Sequence, residues 1–303
     1  MADATAAPAR LTIHAPSGRV ADRAALSRAA RRLRGLGFDA RIDEAARDRH
    51  QRFAGDDEAR LAALHRVARD GCEIALAARG GYGLTRLLDR IDYRLIGRSI
   101  DAGQRWVGHS DHTALQLAVL AHTKRPTWAG PLACHDFGRA EGVDEVTAGC
   151  FAEAMGGELE AIGFRTEVGF DGLQARGLLW GGNLCVLLSL LGTPHWPKVK
   201  GGILFLEDVN EHPYRVERML LQLQQAGVLD AQKAVLLGGF TDYKPSPLDH
   251  GYTIKSAVAR VRSATRTPVL TGLPFGHVPT KVCLPVGRRA TLLVDGRDVL
   301  IGW

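Results

Sequence analysis

The feature that most limits how this chain can fold is an alternation, over residues 11–123, of short apolar runs with stretches whose apolar residues recur at helical spacing. "LTIHAP" (11–16) is a short apolar run closed by Pro-Ser-Gly. Residues 21–36 then carry Leu26, Ala30, Leu33 and Leu36 on related faces of a helix. "FDARID" gives a second strand, and "DDEARLAALHRVARD" an amphipathic helix whose acids sit at its start, where the positive end of the helix dipole favours them. "EIALAA" (73–78) is a third strand ending on "RGGYG". "LTRLLDRI" predicts another helix, "RWVG" a short strand, and a further helix runs from Asp111 to about Thr123. Parallel neighbours need a crossover connection, so this β-α-β-α-β order predicts an α/β fold with a parallel sheet covered by helices on its faces.

The second half changes character. After a helical stretch near 144–155, "GELEAIGF" and "LQARGLLWGGN" are Gly-rich and read as strand and turn. "GGILFLED" (201–208) and "AVLLGGF" are apolar enough to be buried strands. "HPYRVERMLLQLQQAG" is a helix starting at Pro213 and stopping at Gly227, and "ATLLVDGRDVLIGW" a terminal hairpin turning at Asp295-Gly296. These shifts predict an N-terminal α/β domain over 1–130, a linking region over 131–170 and a C-terminal β/α domain over 171–303.

At 303 residues, with 46% hydrophobic and 24% charged residues, the balance is that of a globular protein with room for two cores. The net charge of +6 comes largely from helical arginine surface such as "RAARRLRG" (28–35), a solvated helix face with no aromatic interleaving, so no nucleic-acid partner is expected. The five cysteines, Cys72, Cys134, Cys150, Cys185 and Cys283, form no C-x-x-C pair. In runs such as "CVLLSLL" and "KVCLPVG" they read as small buried hydrophobes, with neither a disulfide framework nor a zinc knuckle implied. The N-terminus lacks the basic start and apolar run of a secretory signal, and no apolar stretch approaches the ~20 residues that span a bilayer. A cytoplasmic protein without a membrane partner is the expectation.

Ligands of open parallel sheets bind at the carboxyl ends of the strands, and three strand ends here carry unusual chemistry. "ARGGYG" (78–83) pairs glycines that let backbone N–H groups approach a phosphate or an oxyanion, though a tight strand-to-helix turn would use the same residues. In "VGHSDH" (107–112), Ser110 falls between a short strand and a helix, where a nucleophile is presented outward and the Asp111 N–H faces a developing oxyanion. Helix capping by Ser110 or Asp111 is the plainer reading of the same six residues. His109 and His112 lie within ligand reach of each other on a helix, but no H-E-x-x-H or similar companion supplies further metal ligands, so no metal is assigned. In "LFLEDVNEHPYRVERML" (204–220), Glu207 ends an apolar strand and could orient a histidine, with Asp208 and Glu211 as competitors. The histidine candidate is His277 in "TGLPFGHVPTK", ahead of His195 in "GTPHWP" and His135 in "ACHDFG".

Together "APSG" (15–18), "ARGGYG" (78–83), "GHSD" (108–111), "GGNL" (181–184), "LFLEDVNEHPYRVERML" (204–220) and "GLPFGH" (272–277) resemble, in order and across nearly the whole chain, the serine LD-carboxypeptidase family of muropeptide carboxypeptidases and microcin C immunity peptidases. The resemblance implies a flavodoxin- or Rossmann-like N-terminal domain, a swivelling C-terminal β/α domain and a homodimer. It makes Ser110 the nucleophile, His277 the base and then acid, and Glu207 the residue orienting His277. The oxyanion hole becomes the N–H groups of Gly81 and Asp111, and Asn183 a substrate contact. Relatives mostly carry an aromatic or aliphatic residue at the positions of His109 and His112, which sets both histidines outside the shared chemistry. Relatives often have histidine where this chain has Ala129, so the substrate-side wall is not read from the resemblance.

The expectation is therefore a peptidase that removes a C-terminal D-amino acid by cleaving an L–D bond, D-alanine from murein tetrapeptide during cell-wall recycling, with no metal or organic cofactor. An exopeptidase needs a cation for the substrate carboxylate, and Arg79 is the nearest, unless it forms a structural ion pair. Within the family, hydrolysis of peptidyl or aminoacyl nucleotides is the alternative, kept open by Trp180 and Trp196. A non-catalytic small-ligand binder predicts that Ser110→Ala changes no activity and that Ser110 and His277 lie too far apart to hydrogen-bond, and a metal hydrolase centred on His109 and His112 predicts sensitivity to chelator.

Overall fold

The computed structural model describes residues 7–303. Its first half runs β1 (Arg10–His14), α1 (Arg23–Gly35), β2 (Asp39–Ile42), α2 (Asp57–Arg69), β3 (Ile74–Ala77), α3 (Tyr93–Asp101), β4 (Arg105–Gly108), α4 (His112–Thr123) and β5 (Thr127–Ala129). The second runs α5 (Glu145–Gly156), β6 (Ala161–Arg165), β7 (Gln174–Asn183), α6 (Leu184–Ser189), β8 (Ile203–Val209), α7 (Pro213–Gln225), β9 (Ala234–Thr241), α8 (Ile254–Ala264), β10 (Val269–Thr271), β11 (Leu284–Val286), β12 (Arg289–Asp295) and β13 (Asp298–Gly302). The helices start where their sequences cap them. Asp56 accepts the Ala59 N–H at α2, Asp144 the Thr147 N–H at α5, and Pro213 opens α7, which stops before Gly227 at φ +73°.

Two sheets result, as expected for an α/β chain. The first has the order β11-β5-β4-β3-β1-β2, parallel throughout except that β11 joins β5 antiparallel. The second has the order β10-β9-β8-β7-β12-β13-β6, parallel from β10 to β7 and antiparallel beyond. β6 belongs to the second sheet although it lies within 131–170, and β11 returns to the first from deep in the C-terminal half. A continuous apolar core runs from Trp106 and Leu115 to Leu179, Leu184 and Leu204, so α4 is packed directly against the second sheet. Among the described residues no helix is long and apolar enough to cross a membrane.

Three local expectations are corrected. Residues 84–91 form two 3-10 turns, Leu84–Arg86 and Leu88–Arg90, rather than an α-helix. The carbonyl of Leu88, which a helix would bond to the Asp92 N–H, accepts the Tyr93 hydroxyl, while that N–H donates to His65. The terminal hairpin turns at Gly296-Arg297, one residue later than expected, because Asp295 pairs with Asp298 and Gly296 takes the positive φ (+57°) that the turn requires. Cys185 is exposed, since α6 buries Leu184 and Leu187 and turns the intervening residue outward.

Candidate active site

The chain leaves β1 for β2 on one side and then crosses to β3 on the other, so the sheet order switches between β1 and β3. Loops diverge there and open a crevice at the carboxyl edge. The "APSG" turn after β1 and the "RGGYG" turn after β3 meet in it, the Gly18 N–H donating to the Gly80 carbonyl at 3.1 Å. A Cβ on Gly18 would lie 2.9 Å from that oxygen, which is why glycine stands there. The resulting cavity of about 600 Å³ is lined by Arg79, Gly80, Gly81 and Ser110 from the first half and by Asn210 and His277, among others, from the second.

Ser110 sits on the sharp turn from β4 to α4 with φ +63°, a left-handed conformation that an L-residue adopts at a cost of about 1–3 kcal/mol and that projects the side chain away from the sheet. The turn closes because its neighbours are small: a Cβ on Gly108 would stand 2.8 Å from the His112 ring, and one on Gly80 only 2.4 Å from Ser110 Oγ. The capping alternative does not hold, because neither side chain caps α4. The Asp111 carboxylate instead accepts the Leu84 N–H at 2.9 Å, tying the Ser110 turn to the end of "RGGYG". Burial pushes the Asp111 carboxyl above its ordinary value despite that bond. Among the described residues neither the Asp111 N–H nor the Gly81 N–H has an acceptor, leaving two donors free beside Ser110.

The base side is built on the second sheet. Glu207, wholly buried within β8 two residues before its end, accepts from His277 Nδ1 at 2.7 Å. Burial alone would depress the His277 pKa; the hydrogen bond and negative charge of Glu207 outweigh it and leave the pKa above 6.5. Gly276 makes this contact possible. Its φ of +127° and missing Cβ, which would lie 2.9 Å from Glu207 Cβ, bring the loop onto the carboxylate. Gly239 donates to the Phe275 carbonyl, and Thr241 Oγ1 to the His277 carbonyl at 3.2 Å, fixing the loop on β9. Ser110 and His277 face the same cavity without a hydrogen bond between them in this structure; such contacts commonly tighten only when substrate is bound.

Asn183 lies elsewhere than expected. It is 4% exposed beneath the cavity, where its Nδ2 donates to Glu207 (3.2 Å) and Asp208 (2.9 Å), its Oδ1 caps α6, and its N–H donates to Thr113 Oγ1 on α4. It therefore links α4 to Glu207 rather than lining the cavity. Asp208 also accepts the Cys185 N–H, and burial pushes its carboxyl up to about 6. Arg79 is in no ion pair among the described residues; it donates to the Arg19 carbonyl and passes close under Gly18 and Gly81. Glu211 pairs with Arg215.

The rival histidines separate. His195 is engaged with Asp89 and His122 away from the cavity, and His135 lines the cavity without meeting Glu207. His112 packs 6.0 Å from His14 in the core, burial holding both near a pKa of about 3. His109 turns the other way, against His277, so the two flanking histidines do not converge. Among the described residues no group of three or more His, Cys, Asp or Glu is placed to hold a metal. Trp180 is buried with its Nε1 on Gln232, Trp196 packs edge-on against it, and neither lines the cavity. Ala129 is buried in β5, also away from the cavity wall. No local pattern in the sequence marked the fully buried Lys281–Asp136 ion pair behind the site.

Residues 11–130 match the family model described as the LD-carboxypeptidase N-terminal domain, and 176–292 that described as the LD-carboxypeptidase C-terminal domain. A probable murein peptide carboxypeptidase of Bacillus subtilis is 32% identical over 89% of this chain and 84% of its own. The crystal structure of muramoyltetrapeptide carboxypeptidase from Oxalobacter formigenes superposes with a TM-score of 0.88 at 39% identity, over 96% of this chain and 97% of that one. The microcin C7 self-immunity protein, in complex with aspartyl sulfamoyl adenosine, shares the fold with a TM-score of 0.87 at 21% identity, over 98% and 97% of the two chains.

Proposed function

Because this chain belongs to the LD-carboxypeptidase family, we propose that it hydrolyses the L–D bond before a C-terminal D-amino acid, with Ser110, His277 and Glu207 as its triad and murein tetrapeptide as its substrate. One observation carries the reading: a serine on a strained turn, Gly81 with its free N–H and a carboxylate-bound histidine line a single cavity, with the free Asp111 N–H next to the serine in the chain. Ser110 Oγ attacks the scissile carbonyl as His277 Nε2 takes its proton, and the oxyanion forms against the N–H groups of Gly81 and Asp111. His277 returns the proton to the departing amine, releasing D-alanine. It then activates the water that opens the acyl-enzyme, so no metal or organic cofactor takes part. The family resemblance extends the proposal to a cytoplasmic homodimer acting in cell-wall recycling.

Mass spectrometry of murein tetrapeptide incubated with the protein tests this directly. Loss of one alanine residue is the expected result, and an unchanged tetrapeptide overturns it. An aminoacyl sulfamoyl adenylate offered in parallel tests nucleotide hydrolysis.

Arg79, with no carboxylate partner and its guanidinium beside Gly81, is the proposed cation for the substrate's terminal carboxylate. Losing a charge-assisted hydrogen bond worth about 1.5–3 kcal/mol should raise KM of Arg79→Ala about 10- to 100-fold. A peptide amidated at its C-terminus should show no such difference between wild type and variant. Equal losses on both substrates would remove Arg79 from carboxylate recognition.

A further inference from the structure

His109 directly precedes Ser110 in sequence, and its ring is 1% exposed, with Nδ1 2.8 Å from the Gly130 carbonyl. A carbonyl only accepts, so Nδ1 carries the proton and Nε2 the lone pair, and that Nε2 is buried with no partner. The ring packs edge-to-face on His277, with centroids 4.9 Å apart and planes at 77°, and touches Phe275 of the same loop at 6.1 Å. The charged or titratable groups around the pair are Glu207, Asp208, Asp136, Lys281 and His135. Burial, with the nearby His277 and Lys281, keeps His109 well below its ordinary pKa and therefore neutral.

Glu207 thus holds the His277 ring at Nδ1 and Thr241 holds its backbone, while two rings stand edge-on to it, the exposed His135 at 6.2 Å between centroids and the buried His109 closer, at 4.9 Å. We propose that His109 is a positioning residue for His277, a neutral imidazole pinned to Gly130 that keeps the base in the plane where Nδ1 meets Glu207 and Nε2 faces the cavity. The proposal rests on the triad reading above.

The test compares His109→Phe, which keeps a ring, with His109→Ala and His109→Leu, which do not. The readouts are kcat, KM and the pH profile on murein tetrapeptide, with NMR titration of the His277 ring. Misplacing a catalytic group by about 1 Å costs up to about 100-fold, so His109→Ala and His109→Leu should lose about tenfold or more in kcat with KM within about twofold. His109→Phe should stay within about threefold of wild type. In His109→Ala, water entering the vacated space relieves the burial that pushes His277 down, so the acid limb and the His277 pKa should move to higher pH. Wild-type kcat with an unmoved His277 pKa in His109→Ala overturns the proposal, as does His109→Phe being as impaired as His109→Leu. If the wild type releases no alanine, the triad reading fails on its own, and the His277 titrations still decide whether His109 positions that ring.

Discussion

Ser110→Ala is expected to lower kcat for alanine release by about 10⁴-fold or more while leaving the fold intact. In the proposed mechanism the Ser110 hydroxyl becomes the ester oxygen of the acyl-enzyme; Cys134 also lines the cavity, but burial pushes its thiol up to about 12 and keeps it protonated, so it does not stand in for the serine. A Cβ on Gly80 would lie 2.4 Å from Oγ, so position 80 itself carries no side chain beside the hydroxyl. Alanine pays the same backbone cost at φ +63° as serine, so thermal unfolding should shift little in either direction. Residual turnover, if measurable, reports the free N–H groups of Gly81 and Asp111 and substrate positioning, which the substitution leaves in place. Mass spectrometry of the tetrapeptide and a circular-dichroism melt on the same preparation separate loss of chemistry from loss of fold. A variant that still releases alanine at the wild-type rate would remove Ser110 from the reaction.

What could be read from the sequence is what local chemistry controls. A short strand ending in glycine, then serine, then a helix already fixes a sharp turn. Glu207 was legible because the apolar run of its strand gives way to acids there, although β8 continues to Val209, and His277 because Gly276 constrains the loop before it. The hidden residues act across long sequence separations. Asn183 stands in a glycine-rich turn whose local signal is backbone, yet its amide is spent on Glu207 and Asp208 in the next strand. Lys281 meets Asp136 across 145 positions, with nothing near either to announce a buried pair. The resemblance sets His109 outside the shared chemistry, yet the C-terminal half folds His277 against its ring. The 84–91 segment had the apolar spacing of a helix, and side-chain competition from Tyr93 and His65 for its backbone groups decided otherwise.

Glu207→Gln should lower kcat about 10²- to 10⁴-fold and move the acid limb of kcat/KM to lower pH, two effects with separate causes. The first is the tautomer. Asn183 Nδ2 donates to Glu207 Oε1 at 3.2 Å, so a glutamine keeps its carbonyl toward Asn183 and turns its NH₂ toward His277 Nδ1. A donor there makes Nδ1 the acceptor and places the ring proton on Nε2, facing Ser110, where the base must be unprotonated. The second is the pKa. In the wild type the bond and charge of Glu207 outweigh burial and hold His277 above 6.5; with a neutral amide, burial and the nearby Lys281 charge are opposed only by the smaller effect of Asp208, and the pKa falls below that value. The wild-type profile should therefore rise through a pKa above 6.5 as His277 loses its proton, whereas the variant's smaller activity should already have reached its plateau by that pH. A Glu207→Gln profile with the wild-type limb, at an undiminished rate, would show that the carboxylate neither orients nor charges the base.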